Sequence, residues 1–153
     1  MTDMFSENGN TGASLIPPMH ESCSGRLAPE DRELFASRDK RGIGIWGEDM
    51  AAAYLMSKGL EIIDRNVRMR FSELDIVCRE DDELVFVEVR CRRRNSVMSA
   101  EQTIGVGKWR KLVAGAENYV MGHNWEKGWR IDMVTVDVGP EMWRMSWLKY
   151  LEM

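Results

Sequence analysis

Two strand-like runs, Glu73–Arg79 (ELDIVCR) and Leu84–Arg92 (LVFVEVRCR), stand on either side of Glu80-Asp81-Asp82-Glu83. A short polar break between two β-prone runs predicts an antiparallel hairpin. With the turn centred between Asp81 and Asp82, Val77 faces Phe86 and Asp75 faces Glu88. Strand side chains alternate, so Asp75, Val77 and Arg79 share a face with Glu88, Phe86 and Leu84. Arg90 lies two residues past Glu88 and points the same way. Directly opposed residues have Cβ atoms ~4.5–5.5 Å apart, so the register places two carboxylates side by side. A one-residue slip would dissolve the pair.

Two like charges so placed destabilise a sheet unless something resolves the conflict. A divalent cation is one resolution, and hard oxygen ligands suit Mg²⁺ or Mn²⁺. The carbonyl of Val89, beside Glu88, is a further candidate ligand. Such an ion could stabilise a phosphorane-like transition state or position an attacking water. The plainer reading is that Arg90 pairs with the acids on a solvated face. Against it, both acids interrupt apolar runs (LDIV and VFVEV) where burial is expected, and buried carboxylates need partners.

The rest of the chain frames this hairpin. Ile45–Lys58 is Ala/Met/Leu-rich and stops at Gly59, which predicts a helix with a glycine cap. Trp46, Met50, Ala53 and Tyr54 form its apolar stripe. Glu48 borders that packed face; alternatively it is a first-turn acid favoured by the helix dipole. Leu60–Val67 reads as a strand, residues 93–99 as a polar loop, Lys108–Met121 as a helix, Trp129–Asp137 as a strand and Trp143–Leu151 as a last strand. The order α β β β α β β implies an α/β or α+β domain with a mixed sheet. Residues 1–40 lack periodic hydrophobicity and are rich in Ser, Gly, Asn, Glu and Pro. They read as a disordered or weakly ordered tail, with a short helix from Pro29 to Ser37 as an option, which leaves 41–153 as the domain.

Charge sharpens the partner question. The formal net charge is −4, which at first argues against nucleic acid. Residues 1–40 carry four Lys/Arg against seven Asp/Glu, whereas residues 88–111 carry seven against two. The bases therefore concentrate beside the candidate site. Arg92, Arg93 and Arg94 leave the strand of Glu88 and suit phosphate contacts, or else form a solvated loop. Lys108, Arg110 and Lys111 read as a helix surface adding to the same field, and Arg68 and Arg70 flank the approach to Asp75. Trp125 and Trp129 are candidates for base stacking, set against plain packing. Three cysteines without CxxC spacing and two isolated histidines give neither a disulfide framework nor a zinc site. No apolar run approaches the ~18–20 residues of a membrane span, and the N-terminus lacks a secretory pattern, so the expected compartment is the cytoplasm.

Four blocks in order, GEDMAAAYLMSKGLEIIDRN, RMRFSELDIVCREDDELVFVEVRCR, VGKWRKLVAGAENYV and WRIDMVTV, resemble the YraN-type family of predicted endonucleases. That family is similar to Holliday-junction resolvases of the PD-(D/E)xK restriction-endonuclease-like superfamily. The resemblance implies an α/β restriction-endonuclease-like core, a central mixed sheet flanked by helices. It implies DNA as partner, Mg²⁺ or Mn²⁺ as cofactor and no membrane, and it admits a homodimer. Glu48, Asp75 and Glu88 match the family's acids, and Arg90 stands where the motif lysine is found. Together they imply phosphodiester hydrolysis, on branched or damaged DNA among other forms. Two residues depart from the pattern. Ser72 replaces a glycine, which is tolerable unless that residue needs positive φ. Arg90 replaces a lysine, and arginine cannot serve as a base. The alternatives are therefore a catalytically silent nucleic-acid-binding homologue or a scaffold whose partner docks the acidic tail.

Overall fold

The computed structural model describes residues 6–7, 20–93 and 104–152. Within them the chain runs β1 (Ser6–Glu7), β2 (His20–Arg26), α1 (Pro29–Ser37), α2 (Lys40–Ser57), β3 (Glu61–Arg68), β4 (Glu73–Glu80), β5 (Glu83–Arg93), α3 (Val106–Gly122), β6 (Trp129–Val138) and β7 (Met142–Leu148). The described strands form one sheet in the order β1-β2-β7-β6-β5-β4-β3. Only β5 and β6 run parallel, with Leu84 beside Trp129 and Glu88 beside Met133. The other neighbours are antiparallel. The fold is thus α/β with a mixed sheet flanked by helices.

Helices cover both faces because the central strands are apolar on both. On one face, Ala51, Tyr54 and Leu55 of α2 and Phe35 of α1 pack on Ile76, Cys78, Val85, Val87, Val134 and Val136. On the other, Leu112, Ala116 and Tyr119 of α3 pack on Leu74, Val77, Phe86, Ile131 and Met133. Cys78 is fully buried and serves as a small hydrophobe.

Three expectations shift. Residues 20–40, assigned above to the tail, contribute β2, which pairs with β7 from His20↔Leu148 to Arg26↔Met142, while α1 is the short Pro29–Ser37 helix that the sequence allowed. Helix α2 begins at Lys40 rather than Ile45, because the Asp39 side chain caps it by accepting from Gly42 N–H at 3.1 Å. That cap offsets the weak helix propensity of Gly42 and Gly44. Strand β7 ends at Leu148, since Tyr150 takes φ 55° and sends its N–H to the Asp132 carboxylate at 2.9 Å. Arg94 and most of the 93–99 loop lie outside the described residues.

Candidate functional site

The β4–β5 hairpin takes the register expected from its turn, with Val77 against Phe86 and Glu80 against Glu83. Asp81 adopts φ 51° to close the two-residue turn, a conformation Asp tolerates better than most residues. Backbone pairing runs back as far as Ile76↔Val87. One residue earlier, the Asp75 carboxylate takes over and accepts from Val89 N–H at 2.9 Å. Asp75 thereby fixes the far end of the hairpin with a side chain.

Glu88 lies beside it and is only 4% exposed. Its Oε1 faces Arg90 Nε at 3.2 Å and Lys108 Nζ at 3.4 Å. Its Oε2 is buried with no donor among the described residues, and the Glu88 and Asp75 carboxyls lie within hydrogen-bonding reach of each other. Burial, followed by the adjacent Asp75, pushes the Glu88 carboxyl up to about 7, against the opposing pull of Lys108 and Arg90. Asp75 is also raised, chiefly by burial and in spite of the Val89 N–H. The two acids thus share a poorly solvated place in which full ionisation of both is unfavourable.

Glu48 faces the same place from α2. Since that helix starts at Lys40, Glu48 is more than two turns inside it, so the first-turn dipole reading fails. Its carboxyl is raised by burial and then by Asp75, and opposed by a hydrogen bond from Asn66. Glu48, Asp75, Glu88, Val89 and Arg90 line one cavity of about 510 Å³, with Lys40, Arg92 and Arg93 also on its wall.

Among the described residues, no three His, Cys, Asp or Glu side chains converge as a ready-made metal cluster. The donors that do converge are all hard oxygens: Asp75, Glu88 with its donor-free Oε2, and the neighbouring Val89 main chain. Mg²⁺ is commonly bound by one or two carboxylates, with water and phosphate completing the shell. A buried carboxylate oxygen that no N–H or O–H meets fits such an ion.

The expected basic residues divide. Arg68, the last residue of β3 and 3.9 Å from Glu73, and Arg70, on the β3–β4 turn, are exposed at the Asp75 end of the sheet, with Arg70 stacked 5.0 Å from the Phe71 ring centroid. Lys111 is exposed on α3. Arg92, however, is held by Asp137 at 2.7 Å, and Arg93 donates to the Phe35 carbonyl. Both are engaged within the fold instead of lying free for phosphate. Trp129 packs edge-on against Phe86 at 5.8 Å, and Trp125 donates to the Gly128 carbonyl at 3.0 Å. They sit at the start of β5, Trp129 beside Leu84 and away from Glu88, so base stacking at the site is not theirs.

Lys108, expected on the helix surface, is half-buried and faces Glu88. It stands four residues before Leu112, and Leu112, Ala116 and Tyr119 form the sheet-facing stripe of α3. The i, i+4, i+8 spacing was present in the sequence and puts Lys108 on that stripe.

The class of protein is thus an α/β one whose mixed sheet carries a buried, cation-flanked carboxylate, Glu88, midway along the parallel strand β5, with the part-buried Asp75 of β4 beside it. The chain belongs to the family described as "Uncharacterised protein family UPF0102", which matches residues 47–136. A UPF0102 protein of Anaeromyxobacter dehalogenans is 43% identical over 101 residues, covering 65% of this chain and 75% of the relative. One from Roseiflexus castenholzii is 41% identical over 99 residues (63% and 80%), and one from Shewanella sediminis is 36% identical over 97 (63% and 83%). No helix among the described residues is long and apolar enough to cross a membrane.

Proposed function

We propose that this protein is a divalent-cation-dependent nuclease acting on DNA, built on a core of the PD-(D/E)xK restriction-endonuclease-like kind, with branched or damaged DNA among its substrates. The observation that carries the reading is Glu88: a buried carboxylate beside a second one, its Oε2 without a donor among the described residues, on the wall of a 510 Å³ cavity that also holds arginines.

Mg²⁺ or Mn²⁺ held by Asp75, Glu88 and the Val89 carbonyl would supply a Lewis acid and a water of lowered pKa. The chain's own residues do the rest. Val89 N–H orients Asp75. Arg90 sets a guanidinium next to Glu88, where its remaining N–H groups can neutralise phosphate charge or hold water. Glu48 adds negative charge to the cavity wall from α2. Arg68, Arg70 and Lys111 are the exposed bases available for sequence-independent phosphate contacts.

A second reading is favoured by Arg90 itself, which cannot take a proton from water: a catalytically silent DNA-binding homologue. The test offers linear, flapped and four-way DNA with Mg²⁺ or Mn²⁺ to the wild type and to Glu88→Gln. Cleavage that disappears in Glu88→Gln supports the nuclease. Binding without cleavage, with activity appearing in Arg90→Lys, supports the silent homologue. Neither metal nor DNA binding at low salt refutes both.

A further inference from the structure

We propose that Lys108 is the positioning lysine of the carboxylate site, acting through Glu88 and not as one more phosphate contact. The inference rests on the metal-site reading of Asp75 and Glu88 given above. Three observations carry it. Lys108 Nζ lies 3.4 Å from Glu88 Oε1. It arrives from α3, on the sheet-facing stripe, so the packing of Leu112 and Ala116 fixes where its stem begins. Its side chain is only 37% exposed.

The chemistry of the two cations differs. Arg90 shares β5 with Glu88, and its Nε is buried close to the carboxylate without forming a hydrogen bond. A guanidinium is a rigid planar fork, and here the fork is not engaged face-on. An ammonium is a compact charge with three rotatable donors on a flexible stem. Lys108 can therefore hold Glu88 in place without coplanarity, and can swing aside without a change in the backbone. It also occupies the electrostatic position that a divalent cation at Glu88 would favour. Lys108 and the cation therefore compete for the same carboxylate charge, and that competition is what distinguishes a positioning role from phosphate binding.

The experiment uses the full chain with Lys108→Met and Lys108→Arg. Met keeps the apolar stem, and circular dichroism confirms that both variants fold. The first readout is Mn²⁺ binding by calorimetry without DNA. Removing a unit charge this close to a carboxylate is worth one to three pKa units or a comparable coupling, so Lys108→Met is expected to bind Mn²⁺ roughly tenfold more tightly. Lys108→Arg, which restores the charge, should return the affinity towards wild type. The second readout is DNA binding without metal as a function of salt. A positioning residue leaves the slope of log K against log[salt] unchanged, whereas a phosphate contact lowers it by about one. The third is the rate at saturating DNA, expected to fall at least about tenfold in Lys108→Met, the effect of misplacing a catalytic group.

Mn²⁺ affinity indifferent to Lys108, together with a reduced salt slope, overturns the proposal and leaves a phosphate contact. Failure of Lys108→Arg to restore the affinity overturns it as well, as does a wild type that binds no Mn²⁺. A wild type that binds Mn²⁺ but cleaves no DNA refutes only the nuclease reading, because the calorimetric comparison still decides what Lys108 does.

Discussion

Replacing Glu88 with glutamine should make this protein more stable at neutral pH while removing the site's function. Glu88 has an ordinary carboxyl value of 4.5 and is pushed up to about 7 in the fold. At about 1.36 kcal/mol per pH unit, that difference amounts to ~3 kcal/mol. Below pH 4.5 the group is protonated both folded and unfolded, so it adds no pH dependence. Between 4.5 and 7 the unfolded chain releases the proton first, and stability falls as pH rises. Above 7 the whole ~3 kcal/mol is lost. Two cations within 3.4 Å do not reverse this sign, because burial and Asp75 together outweigh them. Glutamine has no proton to release, and its amide can donate to Asp75.

The assay is urea unfolding of wild type and Glu88→Gln in metal-free buffer from pH 4.5 to 8.5, with free energies taken by linear extrapolation. The two curves should nearly meet at pH 4.5. They should separate to ~3 kcal/mol in favour of the variant by pH 8. Millimolar Mn²⁺ should then raise wild type by RT ln(1 + [L]/Kd) and leave the variant where it was. The reasoning is refuted if Glu88→Gln is less stable than wild type at pH 8. That result would mean that Arg90 and Lys108 more than repay the burial of the charge.

Three further outcomes follow from packing and charge. In Gly47→Ala the new Cβ would lie 2.7 Å from Cys91 Cβ, where α2 crosses β5. Thermal or urea unfolding should show a loss of ~1–3 kcal/mol, and the forced shift of α2 should also move Glu48. Asp132→Ala removes one of three carboxylates from the buried Arg130, which keeps Glu80 at 2.6 Å and Glu83 at 2.7 Å, and leaves Trp147 Nε1 and Tyr150 N–H without their acceptor. The expected loss is ~1–3 kcal/mol by urea unfolding, the cost of donors left without an acceptor. In DNA titrations across salt, Arg68→Ala and Arg70→Ala should each lower the slope by about one, whereas Arg92→Ala, whose guanidinium is held by Asp137, should leave it unchanged.

The hairpin was legible in the sequence because its turn is short and its faces are unequal. A two-residue turn at Asp81-Asp82 leaves one register that buries Val77 and Phe86 on one face and Ile76 and Val85 on the other. That register decides where Asp75 and Glu88 fall. Strand β2 was not legible. HESCSGR has no apolar alternation, and the sheet needs little from it beyond the buried Cys23 and its hydrogen bonds to β7. The start of α2 was hidden for another reason: Gly42 and Gly44 have weak helix propensity, and the cap at Asp39 offsets it. The Arg92–Asp137 pair joins residues 45 apart in the chain. It exists only because β6 returns parallel to β5, and nothing local announces that.

The same parallel return explains why the site's cation comes from α3. A strand that pairs in parallel with its successor must send the chain back across the sheet, and here the helix of that crossover is α3. The helix begins above the end at which β5 leaves the sheet and runs back towards the start of β6. Its first inward-facing residue therefore falls over the last buried residues of β5, and those residues are Glu88 and its neighbours. Lys108 holds that place, with Leu112 and Ala116 following it into the core. On the hairpin side, β4 pairs antiparallel and begins at the same end, which brings Asp75 to it. Carboxylates from two strands and an ammonium from the crossover helix thus meet because the topology changes from antiparallel to parallel at β5. Open α/β sheets tend to bind ligands at the carboxyl ends of their parallel strands, and the 510 Å³ cavity lies at that end of β5.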